Sequence, residues 1–95
     1  MKRMHKFLSD EDIYNIELRA NSATAGPWKS FVEGRDHTSG SDFIMTGLEG
    51  NRGTDIELSG ATVSDQDFIA AAREDIPRLI AEIRAIKKLL HDKQV

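Results

Sequence analysis

The chain has 95 residues, 39% hydrophobic and 31% charged, with a formal net charge of -3 and a sequence pI near 5.5. That length supports one domain with a modest core and excludes a second catalytic lobe, and an acidic balance without a basic stripe argues against nucleic acid as a partner. The absence of cysteine excludes a disulfide framework and a thiolate zinc site. No apolar run approaches the eighteen or so residues of a membrane span, and the basic first six residues lack the apolar stretch of a signal peptide, so a soluble, cytoplasmic protein is expected.

Residues 1–8 read as a flexible N-terminus, and a first helix is expected over 9–25. Ser9 stands at its N-cap, Asp10, Glu11 and Asp12 fill its first turn, and Asp12 occupies the acid position of a capping box. Leu8 and Ile13 have the spacing of a hydrophobic staple. Ile13, Ile16, Ala20 and Ala23 form a thin apolar face, which predicts a helix lying on the surface of something else. Gly26-Pro27 marks its end, with glycine as a left-handed cap.

Residues 28–59 suggest a β-meander of three extended segments, at 28–33, 42–46 and 54–59, separated by polar glycine-containing loops too long for tight hairpins. The third alternates, Ile56 and Leu58 against Asp55 and Glu57, as a strand with one wet face does.

The dominant signal is a C-terminal helix over 64–92, which Ser64 would cap and Asp65 and Asp67 would favour by charge at the N-terminus. Ile69, Ala72, Ile76, Leu79, Ile83, Ile86 and Leu90 recur at alternating steps of three and four, one apolar seam along one side. Pro77 inside this run predicts a kink or a break, and in the broken version Asp75 caps a second helix. Twenty-nine helical residues run roughly 43 Å, longer than a compact domain of this size can cover. Two outcomes are open: self-association through the seam, with Glu82 and Lys87 placed to meet a parallel partner's charges, or a break at Pro77 that folds the seam onto the chain's own sheet.

Chemistry-bearing residues concentrate in one loop, where Glu33, Arg35, Asp36, His37 and Asp42 bring acid, base and imidazole together with Ser39 and Ser41. Those types suit general acid–base work or a divalent metal. No metal-ligand or catalytic spacing is present, His5 and His91 lie near the termini, and the same residues make an ordinary solvated loop. Neither metal nor cofactor is therefore expected. Gly47, Gly50 and Gly53 match no phosphate-loop pattern and lead into a strand, which makes them turn residues. Trp28 is either a binding anchor or the residue that packs the end of the first helix onto the sheet.

Two stretches, A-T-A-G-P-W at residues 23–28 and D-Q-D-F-I-A-A-A-R-E-D-I-P-R-L-I at residues 65–80, resemble paired motifs of short phage and mobile-element proteins, including the Ead-like phage accessory family. The motifs cover the two helical ends of the chain and consist of packing and capping residues. The resemblance implies shared architecture and a mobile-element origin, and it brings no catalytic residues with it. The chain departs from the pattern at Ala25, where proline is usual, and in the loop that follows Glu33.

These observations converge on a small α+β domain: an N-terminal helix, a three-stranded antiparallel sheet, and a long C-terminal helix kinked or broken near Pro77. Such a chain is expected to work by binding another protein, as an inhibitory or immunity protein of a mobile element, with Trp28, Glu33, Asp36 and Asp42 as first candidates for the contact. The alternative is an oligomeric sensor or sponge for a small ligand such as a nucleotide, with Arg35, Arg52 and His37 converging across subunits.

Overall fold

A computed structural model of the chain describes residues 6–93. The first five residues of the segment expected to be flexible, 1–8, lie outside that range. The architecture is α+β, with a helix, a three-stranded antiparallel meander and a long helix in chain order.

Helix α1 spans Asp10–Ser22. Its start is a full capping box: the Asp12 amide donates to Ser9 Oγ at 3.0 Å and the Ser9 amide donates to the Asp12 carboxylate at 3.0 Å, satisfying two N–H groups that helix geometry leaves without partners. Those bonds hold Asp12 below the ordinary carboxylate range. The helix ends earlier than residue 25, because Ala23 already has extended backbone at φ -74° and ψ 159°. Gly26 is therefore not the left-handed cap expected of it; it sits in the link, joined to Pro27 by a cis peptide bond.

Strands β1 (Trp28–Phe31), β2 (Phe43–Leu48) and β3 (Asn51–Arg52) pair in sequence order, with Ser30 opposite Ile44 and Leu48 opposite Asn51. The third strand thus precedes the expected 54–59. The link between β2 and β3 is only Glu49-Gly50, with Gly50 at φ +86°, so this loop is a tight hairpin after all. A Cβ on Gly47, whose φ is +79°, would strike the Asn51 carbonyl on the returning strand. Residues 54–59 contribute one bridge, Ile56 to Ile44, through reciprocal backbone bonds of 2.8 and 2.9 Å. Their alternation is real in burial, with Ile56 and Leu58 half-buried and Asp55 and Glu57 exposed, but it describes an irregular edge and not a ladder.

Helix α2 runs Val63–Lys93 as a single 31-residue element with Pro77 inside it, so Asp75 does not begin a second helix. Its capping box is built on Thr62 and not on Ser64: the Asp65 amide donates to Thr62 Oγ1 at 3.0 Å and the Thr62 amide to the Asp65 carboxylate at 3.1 Å. At about 1.5 Å per residue this helix is roughly 46 Å long. The molecule extends 58 × 41 × 19 Å with a radius of gyration of 17.7 Å, against about 12–13 Å for a compact domain of this length.

Helix α2 carries both the sheet and α1 on one of its faces. The sheet packs on its first half and α1 packs on α2 beside it, with Trp28 of β1 and the α1 residues Ile16 and Ala20 lining a shared groove. The buried apolar core is correspondingly small, comprising Ile13, Val32, Ile44, Ala70 and Ile80, with Thr46 and Gln66 as buried polar members. No described helix is long and apolar enough to cross a membrane.

Candidate functional site

The polar loop is fastened from inside. The Asp36 carboxylate accepts from the Val32 amide at 2.8 Å and from Arg35 Nε at 2.9 Å, and Asp42 accepts from the Glu33 amide at 2.9 Å. Arg35 reaches across to α2 and grips Asp67 with both terminal nitrogens, at 2.8 and 3.0 Å, the bidentate geometry that suits guanidinium and carboxylate best. Arg35's fork, aided by the Ser30 hydroxyl, pulls Asp67 down to about 2. The Val32 amide, and behind it Arg35, lowers Asp36 as well. Carboxylates lowered from their ordinary range are poor proton acceptors near neutral pH, where a general base needs a pKa close to the working pH. The loop residues that looked like chemistry, Arg35, Asp36 and Asp42, are brought together as a clasp that pins the loop to α2. The Glu33 side chain is exposed, its amide being the part that Asp42 uses.

His37 turns the other way. Its Nδ1 lies 2.8 Å from the Ser39 carbonyl, and since a carbonyl only accepts, Nδ1 carries the proton. Its Nε2 is buried with no partner among the described residues, and the ring tilts against Phe43 at 5.8 Å. Phe43 in turn stacks on Phe31 at 5.3 Å, with Lys29 over the Phe31 ring. These residues form the sheet face away from α2, beside an open cavity of about 540 Å³ that Arg52, Asp55 and Glu57 also line. Arg52 packs its guanidinium against the Met45 sulfur. Of the trio Arg35, Arg52 and His37, the last two share this cavity; Arg35 is held on the α2 side. Among the described residues no three His, Asp or Glu side chains gather as a metal set.

The larger feature is α2. The residues it turns toward its own protein are Gln66, Ala70, Arg73, Ile80, Arg84 and Lys87. Gln66 is 4% exposed, and its amide donates to Ser30 Oγ at 2.8 Å and to the Phe31 and Phe43 carbonyls at 3.2 Å each. Arg73 donates to the Ala20 carbonyl at 2.5 Å, Arg84 pairs with Glu17 at 2.6 Å, and Lys87 pairs with Asp10 at 2.8 Å and reaches the Leu8 carbonyl. Each ion pair lowers its carboxylate partner, Glu17 and Asp10.

The expected seam lies one residue, about 100° of helix rotation, away from that docked face. Ile69 is 36% exposed, Leu79 57%, Ile86 49% and Leu90 57%, while Ala72, Ile76 and Ile83 are half-buried. The alternative in which the seam folds onto the chain's own sheet is therefore not adopted. Phe68 and Leu89, at 74% and 56%, widen the stripe. Both stand at g positions, next to the a and d places that define the seam. At its N-terminal end the stripe sinks into an apolar groove of about 390 Å³ between α1 and α2, lined by Ile16, Ala20, Trp28, Ile69, Ala72 and Ile76 among others. Trp28 is half-buried there, its Nε1 donating to the Thr24 carbonyl at 3.0 Å, so it closes the turn after α1 and walls the groove together.

No family model, no curated protein and no solved structure matches this chain.

Proposed function

We propose that this chain is a protein-binding module that acts through the outward apolar face of α2 and performs no chemistry of its own. The observation behind this is the continuous stripe from Phe68 to Leu90, the majority of whose large side chains are at least a third exposed. Contiguous apolar surface on this scale marks an interaction site. An inhibitory or immunity role for a mobile element belongs to this class, and the motif resemblance supports that origin. The contact moves, however, from the acidic loop to the helix, because Asp36 and Asp42 each use a carboxylate oxygen to hold the loop backbone in place while the apolar stripe of α2 stays exposed.

The test compares two variants in co-purification with the natural partner. Leu79→Asp with Ile86→Asp abolishes binding, whereas Asp36→Asn leaves it intact in whatever fraction folds. Retained binding in the helix variant together with loss in the loop variant returns the contact to the loop.

A second reading, a small-ligand site, draws support from the unpartnered His37 Nε2 beside the cavity that Arg52 shares. A nucleotide or sugar phosphate bound there raises the melting temperature of wild type and not of His37→Ala. No shift with any such compound removes this reading.

A further inference from the structure

Resting on the protein-binding reading, we infer that the partner at the α2 face is a second copy of this chain, packed antiparallel about a two-fold axis between Pro77 and Arg78. The area points to a resident occupant. The chain exposes 7832 Å², whereas a compact monomer of its 10.6 kDa exposes about 5,500 Å². The outward side chains Phe68, Ile69, Leu79, Ile86 and Leu89, with the half-buried Ile76 and Ile83 between them, form the contiguous apolar centre that a standard specific interface of roughly 800 Å² per partner is built around.

The shape of the face selects a second copy. It carries a groove at one end, floored by Ile69, Ala72 and Ile76, and beyond it on the same line a ridge of Leu79, Ile83 and Ile86. A two-fold axis between the halves lays each ridge in the other's groove, the self-complementary arrangement of a symmetric dimer. Ile69 then meets the partner's Ile86, Ile76 meets the partner's Leu79, and the small Ala72 leaves room for the partner's Ile83. On the flank, Phe68 meets the partner's Leu89, which covers the most exposed aromatic on the helix.

Charge placement decides the direction. A parallel pair relies on Glu82 meeting the partner's Lys87, but Lys87 already bonds Asp10 and the Leu8 carbonyl of its own chain, and the flank it occupies is covered by α1. The antiparallel pair leaves those bonds intact. Its adverse element is Asp75 opposite the partner's Glu82, two exposed like-charge contacts worth only a few tenths of a kcal/mol each.

Because the chain has no cysteine, single cysteines report the geometry directly. Ile69→Cys and Ile86→Cys chains are purified separately, then oxidised alone and as a mixture. The antiparallel dimer gives a covalent dimer in the mixture only, since identical positions lie roughly 25 Å apart along the pair. Efficient cross-linking of Ile86→Cys by itself means a parallel pair and overturns the proposal. So does the absence of cross-linking in every tube, and if the Leu79→Asp, Ile86→Asp variant still loses its natural partner in that case, the protein-binding reading stands while the second copy falls.

Discussion

Leu79 and Ile80 are neighbours in sequence and similar in chemistry, yet Ile80 is 6% exposed and Leu79 is 57% exposed. The difference separates two faces of α2. The docked face holds the protein together with few apolar groups and many directed polar bonds: Gln66 to the sheet backbone, Arg73, Arg84 and Lys87 to α1. The outward face carries the regular apolar pattern and little of the fold. An amphipathic stripe therefore identifies a surface that must be buried, and what buries it need not be the same molecule.

The sharpest way to break the comparison is the pair Ile80→Ala and Leu79→Ala, followed by urea unfolding at the lowest workable protein concentration so that association contributes little. Ile80→Ala costs about 2–4 kcal/mol, as truncation of a buried isoleucine does, and Leu79→Ala costs less than about 1 kcal/mol. Equal losses would erase the distinction between the faces.

Next in size is Gln66→Ala. It strips the donor from the Phe31 and Phe43 carbonyls under a helix that excludes water and lowers stability by about 1–3 kcal/mol. A neutral result means that those carbonyls find water and that the docked face does not depend on this amide.

The clasp between Arg35 and Asp67 adds a pH dependence to the docked side. Asp67 sits at about 2 in the folded chain against an ordinary 3.8, so the unfolded chain takes up the proton first as acid is added. The contribution of the clasp is complete above about pH 4 and is lost as pH falls toward 2. Asp67→Asn flattens the stability profile across that window and leaves it unchanged at neutral pH and above in slope, as acid titration followed by circular dichroism would show. An unaltered acid slope would mean the clasp is open in solution.

The smallest expected effect concerns the outward face. Glu82→Gln removes both like-charge contacts with Asp75 of the opposite copy and tightens self-association about two- to threefold, a few tenths of a kcal/mol for each contact. Weakening instead would indicate a parallel pair in which Glu82 has a cationic partner.

Much of the architecture was legible in the residues. Ser9 and Asp12 announced the first helix because a capping box is a local device that needs no tertiary context. The seam announced the second helix, and its phase survived Pro77. Two kinds of feature escaped the sequence pattern: local devices built on a neighbouring residue, and contacts that are long-range. Thr62 took the cap expected of Ser64, since Thr62 and Asp65 make the same reciprocal pair two residues earlier. The alternation at 54–59 reported which side chains turn inward, while backbone pairing was settled by the Glu49-Gly50 turn. The polar loop advertised chemistry because Arg35, Asp36 and His37 are reactive types; that Arg35 closes on Asp67, 32 residues away in sequence, is a contact no local pattern shows. The direction in which α2 faces its own protein depends on Gln66, a polar residue outside every apolar periodicity.

Sedimentation of wild type beside the Leu79→Asp, Ile86→Asp variant, with circular dichroism to confirm folding, addresses the outward face directly. Wild type sediments as a dimer that dissociates on dilution, and the variant as a folded 10.6 kDa monomer. A wild type that remains monomeric at every concentration, or a variant that dimerises as well as wild type, contradicts the assignment of this face to a second copy.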